Sequence, residues 1–158
     1  MIVVADTGPV NYLILSGHVA LVHELYGALL IPTAVHGELL HPRAPLKVRE
    51  WANALPAWAE VRKAADPWRF AELGPGEREA ISLALEVKAD FVLIDETLGR
   101  KVAVTNNVAV KGTIGILEEA AGRGLVNLPE AIHKLRVTGI FLSDEIVESV
   151  LKRHRGRG

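Results

Sequence analysis

The chain has 158 residues, 49% of them hydrophobic, so it is long enough to bury a core and too apolar to be a disordered segment. It contains no cysteine, which excludes a disulfide framework and thiolate sites for zinc or iron–sulfur clusters, and favours a cytoplasmic location. There is no signal-peptide pattern and no run of about 18 apolar residues, so we expect no membrane segment.

The formal charge of -1 is unevenly distributed along the chain. The last seven residues carry +4, and residues 1–151 therefore carry -5. The basic residues of this segment are Lys152, Arg153, Arg155 and Arg157. We interpret residues 1–151 as one domain and residues 152–158 as a basic C-terminal tail. Two roles are open for this tail: it would help an acidic body to capture a polyanion such as RNA, or its charges would only favour the helix C-terminal dipole and solubility.

The first half of the sequence alternates short apolar runs with helical segments. Taken in chain order, it predicts a strand at 2–5, helices at about 10–15 and 19–26, a strand at 28–31 and a helix that begins at 32–33 and carries Glu38. Residues 42–73 hold four prolines and all three tryptophans, and predict an irregular helical insertion or arm. This alternation of strands and helices is typical of a parallel sheet covered by helices.

The second half begins with the chain break Gly74-Pro75-Gly76. It predicts a helix at 77–87, a strand at 91–94, a helix or strand at 97–105, a short strand at 108–110, and helices at 113–122, 129–135 and 143–152. The predicted fold is a three-layer α/β/α sandwich with a central, mainly parallel sheet.

Four acidic residues occupy positions that a metal-dependent nuclease would require. Asp6 and Asp95 each follow a strand of the predicted parallel sheet, so both should emerge at its carboxyl edge, where such sheets bind ligands. Glu38 and Glu77 lie near the ends of predicted helices and could converge on that edge. Four clustered carboxylates repel one another unless a cation joins them, and oxygen-only ligands favour Mg²⁺ or Mn²⁺.

Each of these acids also has a purely structural interpretation. Asp6 and Asp95 could cap helices, Glu77 could interact with a helix dipole, and Glu38 could be solvated. The hypothesis therefore depends on the set of four. Gly37 beside Glu38 suggests a close approach to the backbone, because glycine weakens a helix by about 1 kcal/mol relative to alanine.

Several residues beyond Asp95 could contact phosphates. Arg100, Lys101 and Lys111 are candidates, although salt bridges or solvation would explain them equally well. The segment from Gly112 to Gly115 could bind a phosphate through backbone amides at Thr113, or could simply join a strand to a helix.

Three motifs in this order resemble the PIN domain family, over about residues 2–151. They are Asp6-Thr7-Gly8-Pro9; Gly76-Glu77-Arg78-Glu79-Ala80-Ile81-Ser82-Leu83-Ala84; and Leu93-Ile94-Asp95-Glu96 with Arg100-Lys101-Val102-Ala103 and Lys111-Gly112-Thr113-Ile114-Gly115. The chain departs from the common pattern of VapC-like members by having Glu77 where Asp is usual, and Ile-Asp-Glu where Thr-x-Asp is usual.

The resemblance implies a Mg²⁺- or Mn²⁺-dependent endoribonuclease in which Asp6, Glu38, Glu77 and Asp95 hold the metal and Thr7 assists. It also implies a VapBC-type toxin, inhibited by a small antitoxin protein and dimeric on its own. One alternative is a non-catalytic PIN-like module that binds RNA or a partner. A phosphorelay receiver is a second alternative, but it requires adjacent acids after the first strand, which Asp6-Thr7 does not supply.

A homodimer is also expected from the tryptophans. Trp51, Trp58 and Trp68 lie in the irregular segment, and a domain of this size could leave some of this aromatic surface for a partner.

Overall fold

The computed structural model of the protein describes residues 1–157, which form five strands and nine helices. The strands are β1 (Val3–Ala5), β2 (Leu29–Pro32), β3 (Ala59–Arg62), β4 (Phe91–Leu93) and β5 (Val110–Lys111). The helices are α1 (Thr7–Leu15), α2 (Ala20–Tyr26), α3 (Thr33–Leu39), α4 (Leu46–Asn53), α5 (Pro75–Val87), α6 (Thr97–Thr105), α7 (Thr113–Gly122), α8 (Leu128–Val137) and α9 (Asp144–Gly156).

The five strands form one parallel sheet in the order β3-β2-β1-β4-β5. Strand β1 is central, with Val4 opposite Leu30 of β2 on one side and Val92 of β4 on the other. All three residues of β1 are buried, as the uninterrupted apolar run predicts for a strand covered on both faces.

Alternate residues of the central strands face two separate cores. Val3 and Ala5 pack with residues of α1, α2, α4, α7, α8 and α9, whereas Val4 packs with residues of α5 and α6. The sheet is thus the middle layer of three, and the predicted α/β/α sandwich is confirmed. None of the helices in residues 1–157 has the length and apolar character needed to cross a bilayer.

Between β1 and β4 the sheet has a switch point, where the side on which new strands are added changes. From β1 the chain adds β2 and β3 on one side of the sheet, and then returns to add β4 and β5 on the other. At such a switch point the connecting segments diverge and leave a crevice at the carboxyl ends of the strands. Asp6 and Asp95 follow the two strands that border this crevice.

Two predicted elements differ from the structure, and one that was left open is decided by it. Residues 59–62, inside the predicted helical arm, form the edge strand β3. Because this strand is only four residues long and its side chains are half-exposed, the apolar pattern was too short to predict a strand. Residues 97–105, for which the sequence permits a helix or a strand, form helix α6. Residues 110–111 form β5, slightly beyond its predicted position.

The last helix, α9, extends to Gly156 rather than ending at 152. Its start is as predicted, since the Ser143 hydroxyl accepts a hydrogen bond from the Ile146 amide at 3.1 Å. Arg153, predicted in the tail, forms two hydrogen bonds with Glu118 at 3.0 and 3.1 Å. The basic segment is therefore helical through residue 156, and Gly158 lies outside the described residues.

The exposed aromatic surface that motivated the predicted dimer is smaller than the three tryptophans suggested. Trp51 and Trp58 are partly buried against the larger core, whereas Trp68 is 73% exposed. Dimerisation remains a prediction, and its motivation reduces to one exposed tryptophan.

A buried carboxylate joins three elements around the crevice. Glu79 of α5 is only 2% exposed and accepts hydrogen bonds from the Ala34 amide at 2.6 Å and the Ala64 amide at 3.1 Å. Ala34 lies in the first turn of α3, where backbone amides have no partner within the helix. Glu79 therefore fixes α3, the segment that follows β3, and α5 relative to one another.

We predict that Glu79→Ala lowers the free energy of unfolding by roughly 2–4 kcal/mol, because two amides lose their acceptor in a dry interior. Urea denaturation followed by circular dichroism measures this loss.

Glu86→Ala is the matched control on the same helix. Glu86 also accepts from two backbone amides, those of Ala65 and Asp66, at 2.9 and 3.1 Å, but at the surface. Water replaces that carboxylate, so we expect a loss below about 1 kcal/mol. Equal losses in the two variants would contradict the role assigned to Glu79.

Candidate active site

The first acid of the site is held by the sheet. Asp6 follows β1, and its backbone amide donates to the Leu93 carbonyl of β4 at 2.9 Å, which continues the ladder by one residue. Its carboxylate is 5% exposed and makes no side-chain capping hydrogen bond to α1. The capping interpretation therefore does not explain why Asp6 is buried here.

The second acid, Asp95, is oriented by the start of α7. The Thr113 amide donates to one carboxylate oxygen at 2.7 Å, and the Thr113 hydroxyl donates to the other at 2.6 Å. A β-carbon on Gly112 would lie 3.0 Å from this carboxylate, so the backbone approaches it closely. Both oxygens of Asp95 are thus positioned by a residue that follows the neighbouring strand β5.

The third acid, Glu38, is held against the turn before α5. The Thr7 hydroxyl donates to Glu38 at 3.1 Å. A β-carbon on Gly76 would overlap the Glu38 carboxylate, so the contact requires glycine at this position. At Gly37, by contrast, a β-carbon would have no neighbouring atom within 4 Å, so the predicted close approach occurs at Gly76 instead.

The fourth acid, Glu77, lies in the first turn of α5 and faces the start of α6. A β-carbon on Gly99 would lie 2.5 Å from its carboxylate, which again places backbone directly beside an acid. Glu96, the residue after Asp95, lines the same cavity and was not predicted as a site residue. Its adjacency to a strand-end aspartate is the sequence signal that could have identified it.

These side chains surround one cavity of about 210 Å³. Five carboxylates line it, and no basic side chain in the described part of the chain does so: the acids are Asp6, Glu38, Glu77, Asp95 and Glu96. Burial, with added repulsion from the neighbouring acids, raises the pKa of Asp6 to about 7. Burial also raises the pKa of Glu38 and of Glu77 above the ordinary glutamate value.

The donor set of the cavity fits a hard divalent cation. Its oxygen ligands are those that Mg²⁺ and Mn²⁺ prefer, and a cation would favour the ionised form of carboxylates whose pKa is raised mainly by burial. Within residues 1–157, no three acidic or histidine side chains are arranged as a preformed metal-binding group. Binding a cation would therefore require some of these side chains to rotate inward.

The predicted phosphate-binding residues have different environments. Arg100 is half-buried beside Asp95 and donates to the Ile94 carbonyl at 2.9 Å, while Lys101 is exposed on α6. Lys111 pairs with Glu119 and lies 4.5 Å from the centre of the Phe91 ring.

One of these assignments changes as a result. Thr113 is completely buried and contacts Asp95, so it positions that acid and is not accessible to a phosphate. Lys111 is engaged with Glu119 and the Tyr26 hydroxyl, and like Arg100 it lines a neighbouring cavity beside Asp95 and not the acidic cavity itself. A short sequence motif placed both residues near Asp95 but could not indicate their partners.

The fold and the cavity define a three-layer α/β domain with an acidic site at the carboxyl edge of its sheet. The chain belongs to the PIN domain family, because a family model described as a PIN domain matches residues 2–155. PIN domains are generally nucleases. No curated protein and no solved structure is significantly similar to this chain.

We predict that the metal-free protein loses stability as the pH rises from about 4 to about 7. The pKa of Asp6 is raised from 3.8 to about 7, so the folded state holds a proton in this window that the unfolded state has released. The contribution is absent below about pH 4 and complete above about pH 7. At about 1.4 kcal/mol per pKa unit, the destabilisation has an upper limit of about 4 kcal/mol.

Asp6→Asn removes this charge with little change in shape, so in EDTA the variant should melt above wild type at pH 8 and close to it at pH 4. Thermal melts at both pH values measure the difference. Asp144→Asn, at an exposed carboxylate outside the cavity, is the control. If Asp6→Asn melts well below wild type at pH 8, Asp6 has a stabilising structural role instead.

Proposed function

We propose that this protein is a Mg²⁺- or Mn²⁺-dependent endoribonuclease that hydrolyses RNA phosphodiester bonds. The observation that carries the proposal is the convergence of five carboxylates on one cavity, without a basic residue among the described residues that line it. If these acids had only structural roles, several buried and half-buried carboxylates would not need to face the same cavity, where they repel one another.

The four proposed metal ligands are carried by two kinds of secondary structure. Asp6 and Asp95 extend from the two central strands, which gives them fixed positions, whereas Glu38 and Glu77 extend from helix ends and can adjust. When bound, a divalent cation would neutralise charge on the reacting phosphate and lower the pKa of the attacking water. Thr7, which donates to Glu38, would orient that carboxylate or the scissile phosphate.

Other residues around the cavity would orient a ligand or contact the substrate. Asp95 would keep a fixed orientation because Thr113 holds both of its oxygens. Arg100 beside Asp95 and exposed Lys101 on α6 would contact phosphates that flank the cut. A role as the toxin of a VapBC-type pair, with a small antitoxin as partner, remains a prediction from the resemblance.

We predict that the wild-type protein binds Mn²⁺ and that Asp6→Asn and Asp95→Asn each abolish or strongly weaken this binding, because each removes a charged ligand without removing volume. Isothermal titration calorimetry in the absence of RNA measures the affinity. Asp144→Asn should bind as wild type does. Unchanged affinity in both cavity variants would show that the cation binds elsewhere.

We further predict cleavage of labelled RNA in Mg²⁺ or Mn²⁺, none in EDTA, and a loss of at least about 100-fold in kcat for Asp95→Asn. Thr113→Val should lose about 10- to 100-fold and Thr113→Ser should recover most of the rate, because only the hydroxyl to Asp95 is tested. A parallel assay with single-stranded DNA defines the substrate. RNA binding without cleavage by wild type would favour the non-catalytic module.

A further inference from the structure

A second cavity, of about 330 Å³, adjoins the acidic one. Thr7 and Glu38 line both, so the two spaces meet at these residues. The hydrogen-bonded pair of Thr7 and Glu38 lies between the two cavities, so a nucleotide with its phosphate among the carboxylates would have its base close to the second cavity.

The second cavity has mostly apolar walls. Leu39 and Val48 are buried core residues that form its floor, and Ala44 and Pro45 lie beside them. Concave sites with apolar walls and a few polar groups are typical of binding sites for small planar molecules.

Two polar side chains in this cavity have free hydrogen-bonding groups. The Asn11 amide makes no hydrogen bond within residues 1–157, although the residue is half-buried. His41 accepts a hydrogen bond at Nδ1 from the Arg43 amide at 3.0 Å, so the neutral ring carries its proton at Nε2. That Nε2 group also has no partner among the described residues.

We propose that this cavity is a base-binding subsite, which holds the base of one nucleotide next to the scissile phosphate. The apolar walls would pack against the faces of the base, and Asn11, which can both donate and accept, would read its edge together with His41. Exposed Arg43 at the rim would pair with the phosphate of that nucleotide. The inference rests on the proposed nuclease function, because the subsite is placed relative to the reacting phosphate.

The subsite makes cleavage depend on the base at one position. A base that enters the cavity must leave its stack, so that nucleotide must be unpaired. The identity of the base is selected by the groups that Asn11 and His41 present, whereas the carboxylates act on any phosphodiester.

The test uses the full-length protein with Mn²⁺ and a set of short, labelled single-stranded RNAs. In each RNA one position near the cut carries an abasic ribose. We expect one abasic position to raise KM about tenfold for wild type, with kcat changed less than about twofold, because one base contact is lost. Abasic sites at the other positions should have little effect.

Asn11→Ala removes the side-chain amide that would hydrogen-bond to the edge of the base, and Ala44→Phe fills the cavity. Each should raise KM for intact RNA about tenfold, and the sensitive abasic position should then cause less than about a twofold further change. Asn53→Ala, at an exposed asparagine of α4 outside the cavity, is the matched control for Asn11→Ala. Thermal melts identify any variant that fails to fold, in which case the other variant decides.

Three outcomes decide the proposal. An abasic effect that disappears in the cavity variants supports it. If no abasic position raises KM, or if the effect persists unchanged in the cavity variants, the subsite proposal is overturned while the nuclease function stands.

If wild type cuts RNA no faster than Asp95→Asn does, the nuclease function is overturned instead. Fluorescence anisotropy with the same RNAs then decides whether the cavity binds a base. If an abasic position weakens binding to wild type but not to Asn11→Ala, the cavity binds a base. If no abasic position weakens binding to wild type, it does not.

Discussion

Repulsion among the carboxylates around the cavity is the constraint on which the rest of the structure depends. Two unit charges about 5 Å apart repel by about 3 kcal/mol at an effective dielectric constant of about 20. The pKa of Asp6 is raised first by burial and then by the neighbouring acids, so repulsion adds to the cost of burying this carboxylate. The fold must therefore hold groups together that would separate in an open chain, and it does so with its most rigid elements. Asp6 and Asp95 follow the two central strands, whose register is fixed by burial on both faces.

The acids carried by helices need a different kind of support. Glu38 and Glu77 lie on α3 and α5, and these helices are joined through the buried carboxylate of Glu79. Glycines at positions 76, 99 and 112 let backbone pass directly beside three of the acids, where a larger residue would displace a carboxylate. An acidic site of this kind thus depends as much on small residues and on one structural glutamate as on the acids themselves.

Acidic and basic side chains occupy different places around the site, an arrangement that would suit the RNA substrate proposed for it. The cavity itself is lined by acids, whereas Arg100 lies beyond Asp95 and Arg43 lies at the rim of the adjoining apolar cavity. Lys111 and Arg153 line the same neighbouring cavity as Arg100, but they pair with Glu119 and Glu118. Proximity to the site in sequence therefore does not by itself identify the cations available to a substrate.

The sequence alone determined the sandwich, the parallel sheet and the place of Asp6 and Asp95 at one edge of that sheet. Uninterrupted apolar runs indicated strands buried on both faces, and parallel strands necessarily end at a common edge, so Asp6 and Asp95 could be placed together. Helix α7 spans residues 113–122 as predicted, because its boundaries depend on local spacing and on flanking glycines. The proximity of Glu38 and Glu77 was a hypothesis from their place at helix ends.

Only the tertiary structure decided which residues hold those acids in place. Thr113 contacts Asp95 across 18 positions of sequence, and Glu79 contacts Ala34 across 45. The edge strand β3 becomes a strand through its pairing with β2, although its own alternation is only four residues long. The same holds for the apolar cavity beside Thr7 and Glu38, whose walls come from α1, α3, α4 and the segment between α3 and α4. Contacts between residues far apart in the chain leave no local periodicity, so they emerge only when the packed layers bring those residues together.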